Sequence, residues 1–182
     1  MAHGAAHALI RPDGADEARH GALDLAVVKD DGIGLIAQQA AFKIVTSAIN
    51  LEEYLQGNKK AFSPSYVFPS SRTRAVDGTR VKCWSNHANG KHCNQTLAEA
   101  LNNSCNPCFT DMALSLGKQT FYEYLSSFGF GKRTGIDFGG EAYGLLMPEA
   151  AVRACDLARI GFGQTIAVSG VQLACATASA IN

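Results

Sequence analysis

The sequence predicts a mostly α-helical domain with a few short strands, and three observations carry that prediction. From Ala40 to Leu55 the apolar residues recur at helical spacing. The pair Asp77-Gly78 signals a tight turn beside a short strand. Thr96 followed three residues on by Glu99 spells a capping box ahead of a run of helical segments.

The elements follow in chain order. Residues 1–37 are rich in Ala, His, Gly and Asp, and only Leu23 to Val28 suggests a strand. In the helix from Ala40 to Leu55, Phe42, Ile44, Val45, Ala48, Ile49, Leu51 and Leu55 cover most of the circumference. Lys43, Ser47 and Asn50 form a narrow polar stripe, and Gly57 is the expected stop. Residues 58–95 read as loops with short strands at Tyr66 to Phe68 and Thr79 to Trp84. A helix capped by Thr96 should end near Asn102. Pro107 is welcome only at the start of a helix, so the chain should break sharply across Ser104-Cys105-Asn106 and restart at Pro107. That helix buries Cys108, Phe109, Met112, Ala113 and Leu116, and the next buries Phe121, Tyr124, Leu125 and Phe128 before Gly129. Two more helices are expected near Pro148 to Ile160 and Ser169 to Ile181.

The chain has 182 residues, 47% hydrophobic and 18% charged, which fits one globular domain. Sixteen basic and sixteen acidic residues cancel. No global field recruits nucleic acid or an anionic membrane, so function rests on a local site. No apolar run reaches bilayer-spanning length, and no signal-peptide core precedes His20, so the chain as written reads as soluble and cytoplasmic. Six cysteines give no regular disulfide framework and leave the redox compartment open.

The stretch AEALNNSCNPCFTDMALSLGKQTFYEYLSSFGFGKRTGIDFGGE, residues 98–141, resembles the surroundings of the SxN motif in class B, monofunctional penicillin-binding transpeptidases. FKIVTSAINLEE, residues 42–53, resembles the helix that follows their catalytic serine; residues 156–182 resemble the segment before their last core strands. The resemblance covers roughly residues 41–182 and implies an α+β fold of the serine β-lactamase and penicillin-binding transpeptidase type. Here mainly its helical part is present and its sheet is incomplete. It divides the chain into residues 1–37, without family match, and a partial transpeptidase domain over 38–182.

In that family a serine, activated by a lysine, attacks a D-Ala-D-Ala stem peptide or a β-lactam; SxxK, SxN and KTG motifs supply the groups. The resemblance places Ala40 where the nucleophilic serine would stand, with Gln38-Gln39 replacing the usual Pro-Gly, and Lys43 at the base position. Ser104 and Asn106 match SxN and inherit, by resemblance, proton relay and substrate-backbone binding. A KTG motif would fall beyond Asn182. The expected partner is a peptidoglycan stem peptide or β-lactam, with no cofactor and no metal. The chain is therefore expected to be catalytically incompetent, the alternative being a non-catalytic binding or scaffold protein that reuses the helical subdomain.

Other patterns carry less. Lys132-Arg133-Thr134-Gly135 imitates KTG but lies in a different part of the family phrase, and Ser115-Leu116-Gly117-Lys118 imitates SxxK across a helix-ending glycine. Cys105-Asn106-Pro107-Cys108 has the look of a thiol-disulfide site. Cys83, His87, His92 and Cys93 could supply zinc ligands, though adjacent His92-Cys93 is poor ligand spacing. Gly161-Phe162-Gly163 lacks the rest of a dinucleotide fingerprint.

Overall fold

In the computed structural model the described residues are 33–69, 71–84, 94–137 and 140–181, with side chains from residue 38. The suggested strand at Leu23 to Val28 lies outside them. So do His87, His92 and Cys93 of the possible zinc set. No helix among the described residues is long and apolar enough to cross a membrane.

Helix α1 runs Ile33–Leu55 and starts earlier than the sequence suggested. It is followed by a hairpin of β1 (Thr73–Val76) and β2 (Thr79–Lys82). Four helices come next: α2 (Leu97–Asn102), α3 (Asn106–Leu116), α4 (Lys118–Ser127) and α5 (Ala154–Ile160). A 3₁₀ turn at Glu149–Ala151 precedes α5, and α6 (Gly170–Ile181) closes the order. Two expectations need correction. The single helix expected over residues 148–160 is split, because Val152 and Arg153 are extended and Arg153 caps α5, its backbone N–H donating to Asp156 at 3.2 Å. Around Tyr66 to Phe68 there is no strand, only a bridge between Phe68 and Gln95.

The hairpin is antiparallel with Val76 opposite Thr79, and its two-residue turn has Asp77 at φ 45° and Gly78 at φ 73°. Both angles are those of a type I′ turn, whose twist suits the strands it joins. A two-stranded ribbon is marginal alone; this one packs against α3 and α5. Val76 and Val81 point inward to join Phe68, Leu97, Phe109, Met112 and Phe162 in one apolar cluster. A second cluster gathers Phe42, Val45, Ile49, Phe121, Leu125, Phe130 and Ile160 between α1, α4 and α5. Phe42, Phe109 and Phe121 are fully buried, and each contributes roughly 1.5–3 kcal/mol.

The polar stripe of α1 faces inward: Lys43, Ser47 and Asn50 are buried while Leu55 is 78% exposed. Partners explain this burial of polar groups. Asn50 donates to the Phe62 carbonyl at 2.8 Å and accepts from the Phe62 N–H at 2.9 Å, fastening the loop that follows α1. Ser47 bonds the Lys43 carbonyl at 2.9 Å.

Helix ends share one device. α1, α2, α4 and α5 all close with the paired backbone bonds of a Schellman motif. The left-handed residue is Gly57, Gly129 and Gly163 in three of them, and Ser104 in α2.

Candidate active site

Ser104 sits at φ 50° because the Cys105 N–H reaches the Ala100 carbonyl at 2.9 Å while its own N–H reaches Leu101 at 3.0 Å. Thr96 and Glu99 form the expected capping box at the other end of α2. The sharp polar turn is therefore backbone-locked. Beyond it α3 restarts at Asn106, with Pro107 in the first turn, one residue earlier than expected.

Asn106 is 7% exposed. Its amide donates to the Lys82 carbonyl at 3.2 Å, joining the end of β2 to the start of α3. Its Oδ1 is buried without a hydrogen-bond partner, an arrangement that leaves an acceptor waiting for a donor. Trp84 reinforces the same junction, its indole N–H donating to Asn103 at 3.0 Å.

Lys43 is 1% exposed. Its ammonium donates to the Gln39 carbonyl at 3.3 Å and lies 5.8 Å from the ring centres of Phe109 and Phe162. Burial pushes its pKa down to about 8; the nearby sulfurs of Cys83 and Cys105 partly oppose that. A lysine so placed is partly neutral near physiological pH and can accept a proton. Among the described contacts Lys43 and Ser104 are not hydrogen-bonded to each other. Ala40, one turn before Lys43, is exposed.

A cleft of about 380 Å³ opens at Asn106; Ala40, Lys43 and Ser104 are not among the residues that line it. Its walls are Gln39 of α1, Arg80 to Lys82 of β2, Asn106 of α3, Arg159 of α5, and Phe162, Gln164 and Thr165 of the loop after it. Thr165 holds φ 60°, a position that strains a β-branched residue. The Gln38 amide braces that loop by donating to the carbonyls of Gly163 at 3.2 Å and Ile166 at 2.7 Å. Sequence reasoning noted Gln38 only as a departure from the family; its contacts, which lie 125 and 128 residues away, left no local signal.

Cys83 and Cys105 place their sulfurs 3.9 Å apart. Donation from the Cys108 and Cys83 thiols favours the ionised form of Cys105, and Cys83, as donor, is pushed up. No metal-binding cluster of His, Cys, Asp and Glu is found among the described residues.

The decoy motifs are occupied elsewhere. Thr134 donates its N–H and its hydroxyl to Glu141, both at 2.6 Å, and Arg133 stacks on Tyr143 at 4.7 Å. Ser115 bonds the Lys60 carbonyl, and Gly117, at φ 86°, breaks the helix before Lys118.

Residues 38–182 match the model of the penicillin binding protein transpeptidase domain. The chain belongs to that family. Stage V sporulation protein D of Bacillus subtilis is 38% identical over 143 residues, covering 79% of this chain and 21% of that protein. The chain thus spans about a fifth of that relative's length. The transpeptidase domain of Burkholderia pseudomallei penicillin-binding protein 3 superposes with a TM-score of 0.66 at 21% identity, covering 76% of this chain and 39% of that one. Penicillin-binding protein 3 of the tuberculosis Mycobacterium, complexed with aztreonam, gives 0.63 at 24% identity, covering 74% of this chain and 28% of that one. At those identities the likeness speaks for the fold alone. The fold is that of penicillin-binding transpeptidase domains, here helix-rich with one short two-stranded sheet among the described residues.

Proposed function

We propose that this chain carries the stem-peptide cleft of a peptidoglycan cross-linking transpeptidase and binds its peptide, or a β-lactam, without acylation. The supporting observation is the pairing of Ala40 with Lys43 on α1. A base of lowered pKa lies buried one turn beyond a residue that has only a methyl group to offer. Acyl transfer begins when a hydroxyl, losing its proton to a base, attacks the carbonyl carbon. Ala40 has no oxygen with which to form that bond.

On this reading Lys43 retains the base position, Ser104 the proton-relay position and Asn106 the contact to the peptide backbone. The domain comprises residues 38–182, and residues 1–37 lie outside it. Asn106 Oδ1 accepts an N–H of the peptide, and the Gln38-braced loop forms the opposite wall. Binding of an N-acetylated peptide ending in D-Ala-D-Ala, followed by nuclear magnetic resonance of the labelled chain, tests the assignment. Shifts confined to the cleft and abolished in Asn106→Ala support it; shifts absent or scattered over the surface overturn it.

A further inference from the structure

Five sulfurs share one apolar cluster: Cys83, Cys105, Cys108, Cys155 and Met112 pack with Phe68, Phe109 and Phe162. Two of them face each other. Cys83, one residue beyond β2, donates its thiol to the Cys105 sulfur at 3.9 Å. Metal–thiolate bonds run about 2.3 Å, so two sulfurs that share one ion stand at most about 4.6 Å apart. The pair already lies within that limit. Cys83 keeps 6% of its surface exposed, which gives an ion a way in.

The groups around the Cys105 sulfur suit a sulfur that is anionic. The Cys108 thiol donates to it. Lys43 brings a positive charge that acts on both Cys83 and Cys105. Gln95 is fully buried, and its Oε1 is taken by the Asn103 amide at 2.7 Å. Its Nε2 reaches toward the Cys105 sulfur yet closes no full hydrogen bond. A thiol sulfur is a weak acceptor, whereas a charged acceptor draws shorter and stronger bonds. Gln95 is therefore satisfied only by a sulfur of lasting negative charge.

Ligand number and charge select the ion. Among the described residues no three or more His, Cys, Asp and Glu are grouped to hold a metal, and a zinc site of the structural kind needs four ligands. Soft thiolates favour copper(I). In the resting pair one thiol proton lies between the sulfurs, and the Lys43 ammonium balances the charge that remains. Cu⁺ in place of that proton leaves the net charge of the site unchanged. A divalent ion would add a positive charge to a buried apolar site with nothing to compensate it.

We infer that Cys83 and Cys105 form a two-coordinate copper(I) site, with Lys43 as its counter-charge and Gln95 as a donor to the bound sulfur. The thiol of Cys83 and the thiolate of Cys105 exchange their shared proton for Cu⁺; one proton leaves to solvent and no electron moves. The bound ion fastens the end of β2 to the turn of Ser104 and Asn106, beside the Asn106 bond to the Lys82 carbonyl. None of this depends on the peptide-binding reading.

The test uses the whole chain, reduced, freed of reductant and kept under nitrogen, with Cu⁺ presented as its bicinchoninate complex. The chain should withdraw one Cu⁺ per molecule, and X-ray absorption at the copper edge should show two sulfur neighbours within about 2.3 Å. Cys83→Ala and Cys105→Ala should each abolish the withdrawal, while Cys175→Ala, at an exposed thiol, should leave it unchanged. Lys43→Met should weaken binding about 10–100-fold, the scale of losing a supporting group outside the ligands. Circular dichroism of each variant separates lost ligation from lost fold. Should a variant unfold, the absorption spectrum of the unaltered chain still decides, because oxygen or nitrogen neighbours in place of two sulfurs overturn the site. No uptake by the unaltered chain, or uptake that survives both Cys83→Ala and Cys105→Ala, overturns it as well. Zinc held as tightly as Cu⁺ would contradict the charge argument and with it the choice of ion.

Discussion

The Cys105 N–H closes α2 onto the Ala100 carbonyl at 2.9 Å, and this bond forces Ser104 into the left-handed region at φ 50°. The equivalent position of α1, α4 and α5 is glycine. A Cβ there is disfavoured by roughly 1–2 kcal/mol, partly offset by the greater freedom of glycine in the unfolded chain. Ser104→Gly should therefore raise stability by up to about 1 kcal/mol, read as a higher urea midpoint with unchanged slope. A lower midpoint would show that the hydroxyl earns its place by stabilising contacts. A serine kept where the backbone prefers glycine is the pattern expected of a residue held for binding or chemistry.

Lys43 gives a pH dependence whose sign can be worked out. Its ordinary value of 10.5 is lowered to about 8 in the fold, so between those values the unfolded chain binds more protons and stability rises with pH. The cost is fully present below pH 8, on the order of 3 kcal/mol for a shift of this size, and is gone above 10.5. Lys43→Met should stabilise the chain at pH 7, and the gain over the unaltered chain should shrink to less than half by pH 10. Urea midpoints of both proteins at the two pH values decide this. A gain that does not change with pH would place the effect in packing rather than charge.

Gly161 lets α5 lie directly on α3. A Cβ there would stand 2.6 Å from Ala113 Cβ and 2.8 Å from the Phe109 carbonyl, and neither atom is the end of a flexible chain. Gly161→Ala should cost about 1–3 kcal/mol, as overpacking typically does. Thermal denaturation measures it, and a melting temperature within a degree or so of the parent would contradict the close approach.

Gln38 makes two buried bonds to the loop that walls the cleft. Gln38→Ala leaves the Gly163 and Ile166 carbonyls short of donors and should destabilise by about 1–3 kcal/mol. It should also speed amide exchange at residues 163–166 more than in α4. Uniform acceleration across the molecule would mean that the bond has no local bracing role.

Local chemistry made much of this legible in the sequence. The Thr96 and Glu99 box, the Asp77-Gly78 turn, and the stops at Gly57 and Gly129 each depend on residues close in the chain. The sharp turn at Ser104 was visible through Pro107, but the αL geometry that strains it was not, since serine carries no such signal. The burial of Lys43, Ser47 and Asn50 was not legible, because it depends on partners supplied by the fold. Among these are Phe109 and Phe162 around Lys43 and Phe62 beyond the helix end. Gly161 and Gly163 offered only a broken nucleotide motif; their use in close packing against Ala113 and Phe42 needed the tertiary structure. The cleft joins α1, β2, α3 and the loop after α5, and no sequence window spans it.

Intact-protein mass spectrometry after incubation with benzylpenicillin is the most direct test of the proposed transpeptidase cleft without a nucleophile. The unmodified mass is expected at every time point, because Ala40 offers no hydroxyl and Ser104, locked in its turn, is not hydrogen-bonded to Lys43 among the described contacts. A stoichiometric adduct of one penicilloyl group per chain, mapped to Ser104 or any other residue, would contradict it.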